Sequence, residues 1–265
     1  MERERYMLPV RNGLFEAEVY EYGEKAAEPL LFLHPSNGLM RDPYLEDLAT
    51  KYRVIAPCHP GWGESTGLER IDDPVDMAIY YYDFLDALGI ESAHVVGHSI
   101  GGMFAAEVAA VDPHRVRKLV LNNAVGLWRD DVPVMDFFSE DPVALAQAVI
   151  FDLQGEFAQS MAPDPTDMQK LMDSMYARAQ SLAAAGKFLW PIPDRGLSKR
   201  VHRIVAPTLL VWGKADGLVS PVYAEEFAKA ISGPTQTLIL DRSAHFPMQE
   251  QREEWSKAVL GFLAG

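Results

Sequence analysis

The stretch Ala93-His94-Val95-Val96-Gly97-His98-Ser99-Ile100-Gly101-Gly102-Met103 decides how this chain is read. Ala93–Val96 has the pattern of a short strand. Gly97-His98-Ser99-Ile100-Gly101 follows as G-x-S-x-G, and a helical pattern then runs to Asp112, before Pro113. Strand, sharp turn and helix form the context in which that pattern carries chemistry. The turn holds its central serine in a strained conformation, and a Cβ at position 97 or 101 would meet neighbouring backbone. The Ser99 hydroxyl is thereby presented above the sheet edge. The helix start beneath it offers N–H groups and a positive dipole end to a developing oxyanion.

Further short apolar runs flank this unit: Leu30–Leu33, Arg53–Ala56, Leu119–Leu121, Thr208–Trp212 and Thr237–Leu240. Continuous rather than alternating apolar character suits strands covered on both faces. Upstream, Arg5–Val10 and Leu14–Tyr22 read as strands around the turn pair Asn12-Gly13. One helix opens at Asp73-Pro74, with Asp as N-cap, and stops at Gly89; the last covers about 249–263. The alternation predicts an α/β fold with a mostly parallel eight-stranded sheet flanked by helices. It breaks between 127 and 203, where the pattern is helical throughout. Asp141-Pro142 starts one helix there. Thr166, with Gln169 as its capping-box partner, starts another. In the second, Met168, Leu171, Met172, Met175, Ala179, Leu182 and Ala183 recur at helical spacing, and Gly186 can end it. Residues 127–203 are thus expected to be a helical insertion in a core formed by 1–126 and 204–265. An insertion of this length in a compact domain serves as a lid or binding element.

Composition narrows the function classes. The 265 residues are 48% hydrophobic and 23% charged, enough for a sizeable core. The net charge of −14 disfavours nucleic acid and anionic membrane as partners. A single cysteine, Cys58, excludes an internal disulfide and any multi-cysteine metal site. Apolar runs stay below the ~18–20 residues of a membrane span, and the N-terminus lacks the order of a signal peptide, so a cytoplasmic location is expected. The oligomeric state is not legible.

A serine hydroxyl is a weak nucleophile and needs a base, which in turn needs an orienting acid. Of seven histidines, His245 lies between the last strand and the last helix, in a loop at the strand carboxyl ends, the same side as Ser99. Asp216 follows the strand ending at Trp212, in the Gly-flanked loop Gly213-Lys214-Ala215-Asp216-Gly217. Asp241, four residues before His245, is its competitor. His34 and His98 lie beside the turn elements and are expected to line the site.

On these residues the chain resembles the α/β-hydrolase superfamily, from about Glu16 to Leu263. The order Ser99, Asp216, His245 matches that family's nucleophile, acid and histidine. Pro60-Gly61-Trp62-Gly63-Glu64-Ser65 is similar to its loop after the fourth strand, and 127–203 corresponds to its helical cap. One departure stands out. The family usually has His-Gly after the third strand, where a following N–H completes an oxyanion hole; this chain has His34-Pro35-Ser36-Asn37-Gly38, and Pro35 has no N–H. The resemblance then implies Ser36 as second donor, with Asn37 the alternative, and Ile100 as first.

Haloalkane dehalogenases and epoxide hydrolases resemble this chain but have aspartate where it has Ser99, and a serine suits acyl transfer. The expectation is a carboxylesterase for small or medium, neutral, apolar esters, working through an acyl-serine with neither metal nor organic cofactor. His34, His98, Trp190 and Phe246 are its expected substrate contacts. Met168, Met172 and Met175 either roof the site with Phe188, Leu189 and Trp190 or form the insertion's own core. Other readings remain: a carbon–carbon hydrolase of ring-cleavage products with Arg178 or Arg195 on the substrate carboxylate, a cofactor-free perhydrolase or lactonase, and a ligand receptor without turnover. Charge bears on the choice. Residues 129–173 carry ten acidic and two basic side chains, while 174–203 carry six basic and one acidic. The expectation is an acidic half of the insertion facing a basic half, which repels anionic substrates unless the basic half lines the entrance.

Overall fold

The computed structural model describes residues 3–39, 43–161, 167–192 and 194–265. Eight strands, β1 (Glu4–Val10), β2 (Phe15–Tyr22), β3 (Pro29–Leu33), β4 (Arg53–Pro57), β5 (Ala93–His98), β6 (Val116–Asn122), β7 (Thr208–Gly213) and β8 (Thr235–Leu240), form one sheet. Their spatial order is β1-β2-β4-β3-β5-β6-β7-β8. The pairs β1–β2 and β2–β4 are antiparallel, and all later pairs are parallel.

Alternate side chains of the central strands enter two cores, as the two-residue repeat of a strand requires. Leu31, Leu33, Ile55, Val95, Leu119, Leu121, Leu210 and Trp212 join the larger core. There they meet α2 (Pro74–Ala87), α3 (Ile100–Val111) and α7 (Val222–Ala230) through Met77, Tyr81, Phe84, Phe104 and Phe227. Leu30, Phe32, Val54, Ala56, Val96, Val120 and Val211 join the opposite core, against α1 (Pro43–Leu48) and α9 (Arg252–Ala264). Arg252 and Ser256 of α9 bond the Asp47 carboxylate of α1, closing that layer.

β3 lies between β4 and β5. The chain therefore leaves β3 toward one side of the sheet and reaches β5 on the other. Such a switch point opens a crevice at the strand carboxyl ends, where α/β sheets bind ligands. Ser36 follows β3 and Ser99 follows β5 at that crevice.

Between β6 and β7 the described residues contain helices α4 (Pro142–Val149), α5 (Glu156–Met161) and α6 (Met168–Leu189), and no strand. Asp141 caps α4 as expected, accepting from the Val143 and Ala144 amides. Thr166 lies outside the described residues, and α6 is capped by Asp167, which accepts from Lys170 N. Gly186 does not end α6, which continues to Leu189 with the Gly186 carbonyl accepting from Trp190 N. The methionine stripe departs from both expectations: Met168, Met172 and Met175 are 57–67% exposed, while α6 buries Ala184, Ala185, Phe188 and Leu189 toward its far end. The last helix is also split. Gln251, at φ −129° and ψ 53°, separates α8 (Pro247–Glu250) from α9. No described helix is long and apolar enough to cross a membrane.

Among the described residues, cations of 174–203 are bonded to the core rather than to the acids of 129–173. Arg200 makes a paired hydrogen bond to the buried Glu107 of α3, Arg203 donates to Ala110 O, and Lys187 donates to Leu68 O. These cations fasten the foot of the insertion to the core.

Candidate active site

The chain turns from β5 into α3 at Ser99, which has φ 56° and ψ −117°. No side-chain-bearing residue adopts this backbone without strain, of order 1–3 kcal/mol. Packing holds it there. A Cβ on Gly101 would lie 2.2 Å from Leu33 O, and one on Gly97 would lie 2.3 Å from Gly101 O, so both contacts are with backbone that cannot give way. The Ser99 amide donates to Asn122 O at 3.0 Å, and its carbonyl accepts from Val125 N and Met103 N. The serine is nearly buried, at 5% exposure, with the Ile100 amide beginning the helix behind it.

The acid and histidine loops are brought together at the end of β7. A Cβ on Gly213 would sit 1.9 Å from Ala244 O, and the Ala215 amide donates to Ser243 O. Asp216 Oδ1 accepts from the Leu218 and Val219 amides at 2.9 and 3.0 Å. Its Oδ2 accepts from His245 Nδ1 at 2.8 Å and from Asn123 Nδ2 at 2.6 Å. Four donors fill the acceptor capacity of an ionised carboxylate. The Nδ1–H is thereby assigned to the Asp216 side of His245, which leaves Nε2 as the ring's open acceptor. The competitor Asp241 points to solvent and pairs with the exposed Lys214.

His98 ties this loop to the serine turn. Its Nε2–H donates to His245 O at 2.7 Å, and the two rings lie 5.0 Å apart. Burial lowers its pKa well below the usual histidine range, so the ring is neutral. Phe246 packs against His98 at 5.3 Å and against Phe157 of α5 at 5.2 Å. Both His98 and Phe246 thus border the serine and histidine turns.

His34 is placed differently from its expected part as a substrate contact. It is fully buried and stacked on His59 with ring centroids 3.7 Å apart. Its Nδ1–H donates to Pro35 O, and its Nε2 accepts from His59 N. His59 Nε2–H donates to His34 O, while its Nδ1 meets the Tyr81 hydroxyl. Every ring nitrogen of the pair has a partner inside the protein. Burial depresses both pKa values, that of His34 to about 4 and that of His59 well below its usual value, where His34 adds to the effect. The pair carries the Pro35–Gly38 turn, closed by Gly38 N to Pro35 O. Trp62 Nε1 donates to Ser36 O at 2.8 Å, fixing the carbonyl side of that residue. The Ser36 amide stands outside the turn's hydrogen bond.

Asn123, His59, Tyr81 and Trp62 were not among the expected site residues. A signal for Asn123 exists in the sequence: a polar pair, Asn122-Asn123, closes an apolar strand on the serine side of the sheet. Asn122 Oδ1 accepts from Trp255 of α9, whereas Asn123 bonds the acid and Ala244 O.

Met103 and Val125, whose amides bond the Ser99 carbonyl, wall a cavity of about 20 Å³, room for one water, together with Leu127, Val134, Phe137 and Leu189; Ser99 itself is not in its lining. Arg195 is the charged side chain in its lining, and it donates to Trp190 O. Trp190 is 54% exposed, lies edge-on to Phe138 and does not line this cavity.

The family model of the alpha/beta hydrolase fold matches residues 29–250. The chain belongs to that family. Among alpha/beta hydrolases it is 30% identical, over 82% of its length and 78% of the relative's, to a 2-hydroxy-6-oxononadienedioate/2-hydroxy-6-oxononatrienedioate hydrolase of Pseudomonas putida. It is 27% identical to Lipase 3 of a Moraxella species, over 90% of its own length and 78% of the lipase. The fold is shared with carboxylesterase CesB of Bacillus subtilis, with a TM-score of 0.71 at 23% identity, covering 99% of this chain and 92% of the esterase. This alpha/beta hydrolase is therefore read as a hydrolase.

Proposed function

We propose that the protein is a serine hydrolase acting as a carboxylesterase on small to medium, neutral, apolar esters. The observation that carries the reading is the His245–Asp216 bond of 2.8 Å beside a serine held at φ 56° on a helix N-terminus. Ser99 attacks the ester carbonyl while His245 Nε2 takes its proton, and Asp216 keeps the imidazole in the required tautomer. The Ile100 and Ser36 amides donate to the oxyanion. His245 then protonates the leaving alcohol, and water releases the acid by the same route in reverse. Met103 and Val125, bonded to the Ser99 carbonyl, line an apolar cavity, which supports an apolar acyl group. Residues 127–203 act as the cap, with Trp190 at its outer face and Phe246 and His98 on the substrate side of the histidine.

The test is turnover of p-nitrophenyl esters of increasing acyl length. Ser99→Ala is expected to lower kcat by at least ~10⁴-fold. Esterase activity that survives the substitution would overturn the assignment.

A second reading, hydrolysis of a carbon–carbon bond in a ring-cleavage product, is favoured by Arg195 in the cavity lining and by the dioate hydrolases among the relatives. A carboxylate-bearing ring-cleavage product in the same substrate panel separates the two: preference for it by kcat/KM would replace the esterase reading.

A further inference from the structure

The mechanism above leaves Glu250 without a part, yet this carboxylate joins two segments far apart in the sequence, with 99 positions from Phe151 to Glu250. Its Oε2 accepts from the Ser243 hydroxyl at 2.9 Å and from the Ala244 amide at 2.7 Å, in the loop that ends at His245. Its Oε1 accepts from the Phe151 amide, in the connection between α4 and α5 of the insertion. Two backbone bonds run in parallel. The His245 amide donates to Val149 O at 3.0 Å, and the Gly217 amide, next to Asp216, donates to Ala148 O at 2.8 Å. The end of α4 is thus bonded to both the acid loop and the histidine loop. A cleft of about 400 Å³ beside Glu250, bordered by Asp152, Glu156, Phe157 and Arg242, separates the α5 side of the insertion from the core. Beside this gap, hydrogen bonds join the two sides at α4's end and at Glu250, while Phe157 of α5 packs on Phe246. A shift of the insertion relative to the core pulls on these bonds.

We propose that Glu250 is a positioning residue that locks the α4–α5 connection to the histidine loop, so that cap displacement and the placement of His245 are one coupled event. The proposal rests on His245 being the base of the reading above. In the closed arrangement the carboxylate holds Ser243 and Ala244, and through them the imidazole, against Asp216. When Phe151 moves away, one of the three charge-assisted bonds is lost and the loop loosens. A displacement near 1 Å at a catalytic group costs up to about 10²-fold in rate.

Two substitutions test the lock from opposite sides. Glu250→Gln keeps the side chain's size but gives one of the three donors an NH₂ to face. Phe151→Pro removes the insertion's N–H and the ring, so its effects are read against Phe151→Ala, which keeps the N–H. Residue 151 is exposed, and Ile150 already has the extended backbone, φ −122° and ψ 124°, that a following proline requires. Glu250→Gln and Phe151→Pro are both expected to lower kcat on p-nitrophenyl acetate by 10- to 100-fold with KM changed less than threefold. Hydrogen exchange is expected to speed up together at 148–152 and at 243–246 in each. A merely local role for Glu250 predicts normal kcat in Phe151→Pro. That result, or exchange confined to the substituted segment, would overturn the proposal. Should Ser99→Ala keep full activity, the catalytic reading falls, and the exchange pattern alone decides the coupling.

Discussion

Replacing Asp216 by asparagine tests the site at its most constrained point. The carboxylate receives four hydrogen bonds, two on each oxygen. Asparagine has one acceptor oxygen and one NH₂. The Leu218 and Val219 amides belong to backbone and cannot reorient, so the oxygen must face them. The NH₂ then faces His245 Nδ1 and Asn123. His245 answers by moving its proton from Nδ1 to Nε2, where it blocks the nitrogen that would accept from Ser99. Asn123 answers by turning its amide, because its Oδ1 has no partner among the described residues and can accept from the new NH₂. The fold thus loses about one net hydrogen bond, ~1 kcal/mol. Catalysis loses its base, with kcat falling ~10⁴-fold, or about 5 kcal/mol. Asp241→Asn is the control. It removes an exposed pair with Lys214, expected to contribute about 0–1 kcal/mol, and leaves kcat within twofold. Steady-state hydrolysis of p-nitrophenyl acetate together with thermal unfolding reads both effects. A Asp216→Asn variant within tenfold of wild type, or Asp241→Asn falling as far, would refute the reasoning.

Acid should destabilise the fold through the buried histidine pair. The folded pKa of His34, about 4, lies below its unfolded value of 6.5. Its neutral form therefore stabilises fully above 6.5, and the contribution is lost as pH falls from there through 4. Linkage makes the loss about 2 kcal/mol between pH 7 and pH 5 from His34 alone, with His59 adding in the same direction. Urea unfolding at both pH values checks it; equal stabilities would contradict the assignment, and His34→Gln, whose amide oxygen replaces Nε2 as acceptor, should flatten the slope. Pro35→Gly keeps the carbonyl that His34 and Gly38 use and adds an N–H. Ester turnover should stay within about tenfold, whereas a loss of ~10²-fold, the size of one deleted oxyanion donor, would show that Ser36 is misplaced as the donor.

Strand positions were legible because buried parallel strands demand continuous apolar runs, and the runs at 30–33, 95–96, 119–121 and 208–212 supply them. The serine turn was legible because close backbone approach leaves only glycine at 97 and 101. Other features depend on contacts that no local pattern encodes. α7 was missed because its apolar residues, Tyr223, Ala224 and Phe227, are few in nine positions. His34 looked like a lining residue from its place after β3. Its ring turns inward because His59, 25 residues on, offers both a stacking face and a donor. The methionines of α6 have helical spacing, but spacing does not say what lies opposite, and along 168–175 the structure turns them to solvent.

The charge pattern shows the same limit and bears on the choice of substrate. In sequence, the insertion's acidic and basic halves look like opposed faces. In three dimensions Lys187, Arg195, Arg200 and Arg203 are engaged with carbonyls or with Glu107, fixing the insertion to the core and to itself. None of these bonds reaches an acid of 129–173. Several of those acids serve local backbone instead: Asp141 and Asp167 cap helix starts, and Asp152 accepts from Gln154 N. Asp141, Asp152, Glu140, Glu156 and Asp173 remain exposed, with Arg129 and Lys170 as the only cations within 129–173. A dianion, such as the dioates named for some relatives, approaches a chain of net charge −14 whose field opposes it, whereas a neutral ester meets no such opposition. Inside the cavity the balance reverses, since one guanidinium among apolar walls would attract a carboxylate. Encounter and binding thus pull in opposite directions for an anionic substrate and in the same direction for a neutral one, which is the physical ground for placing the ester first.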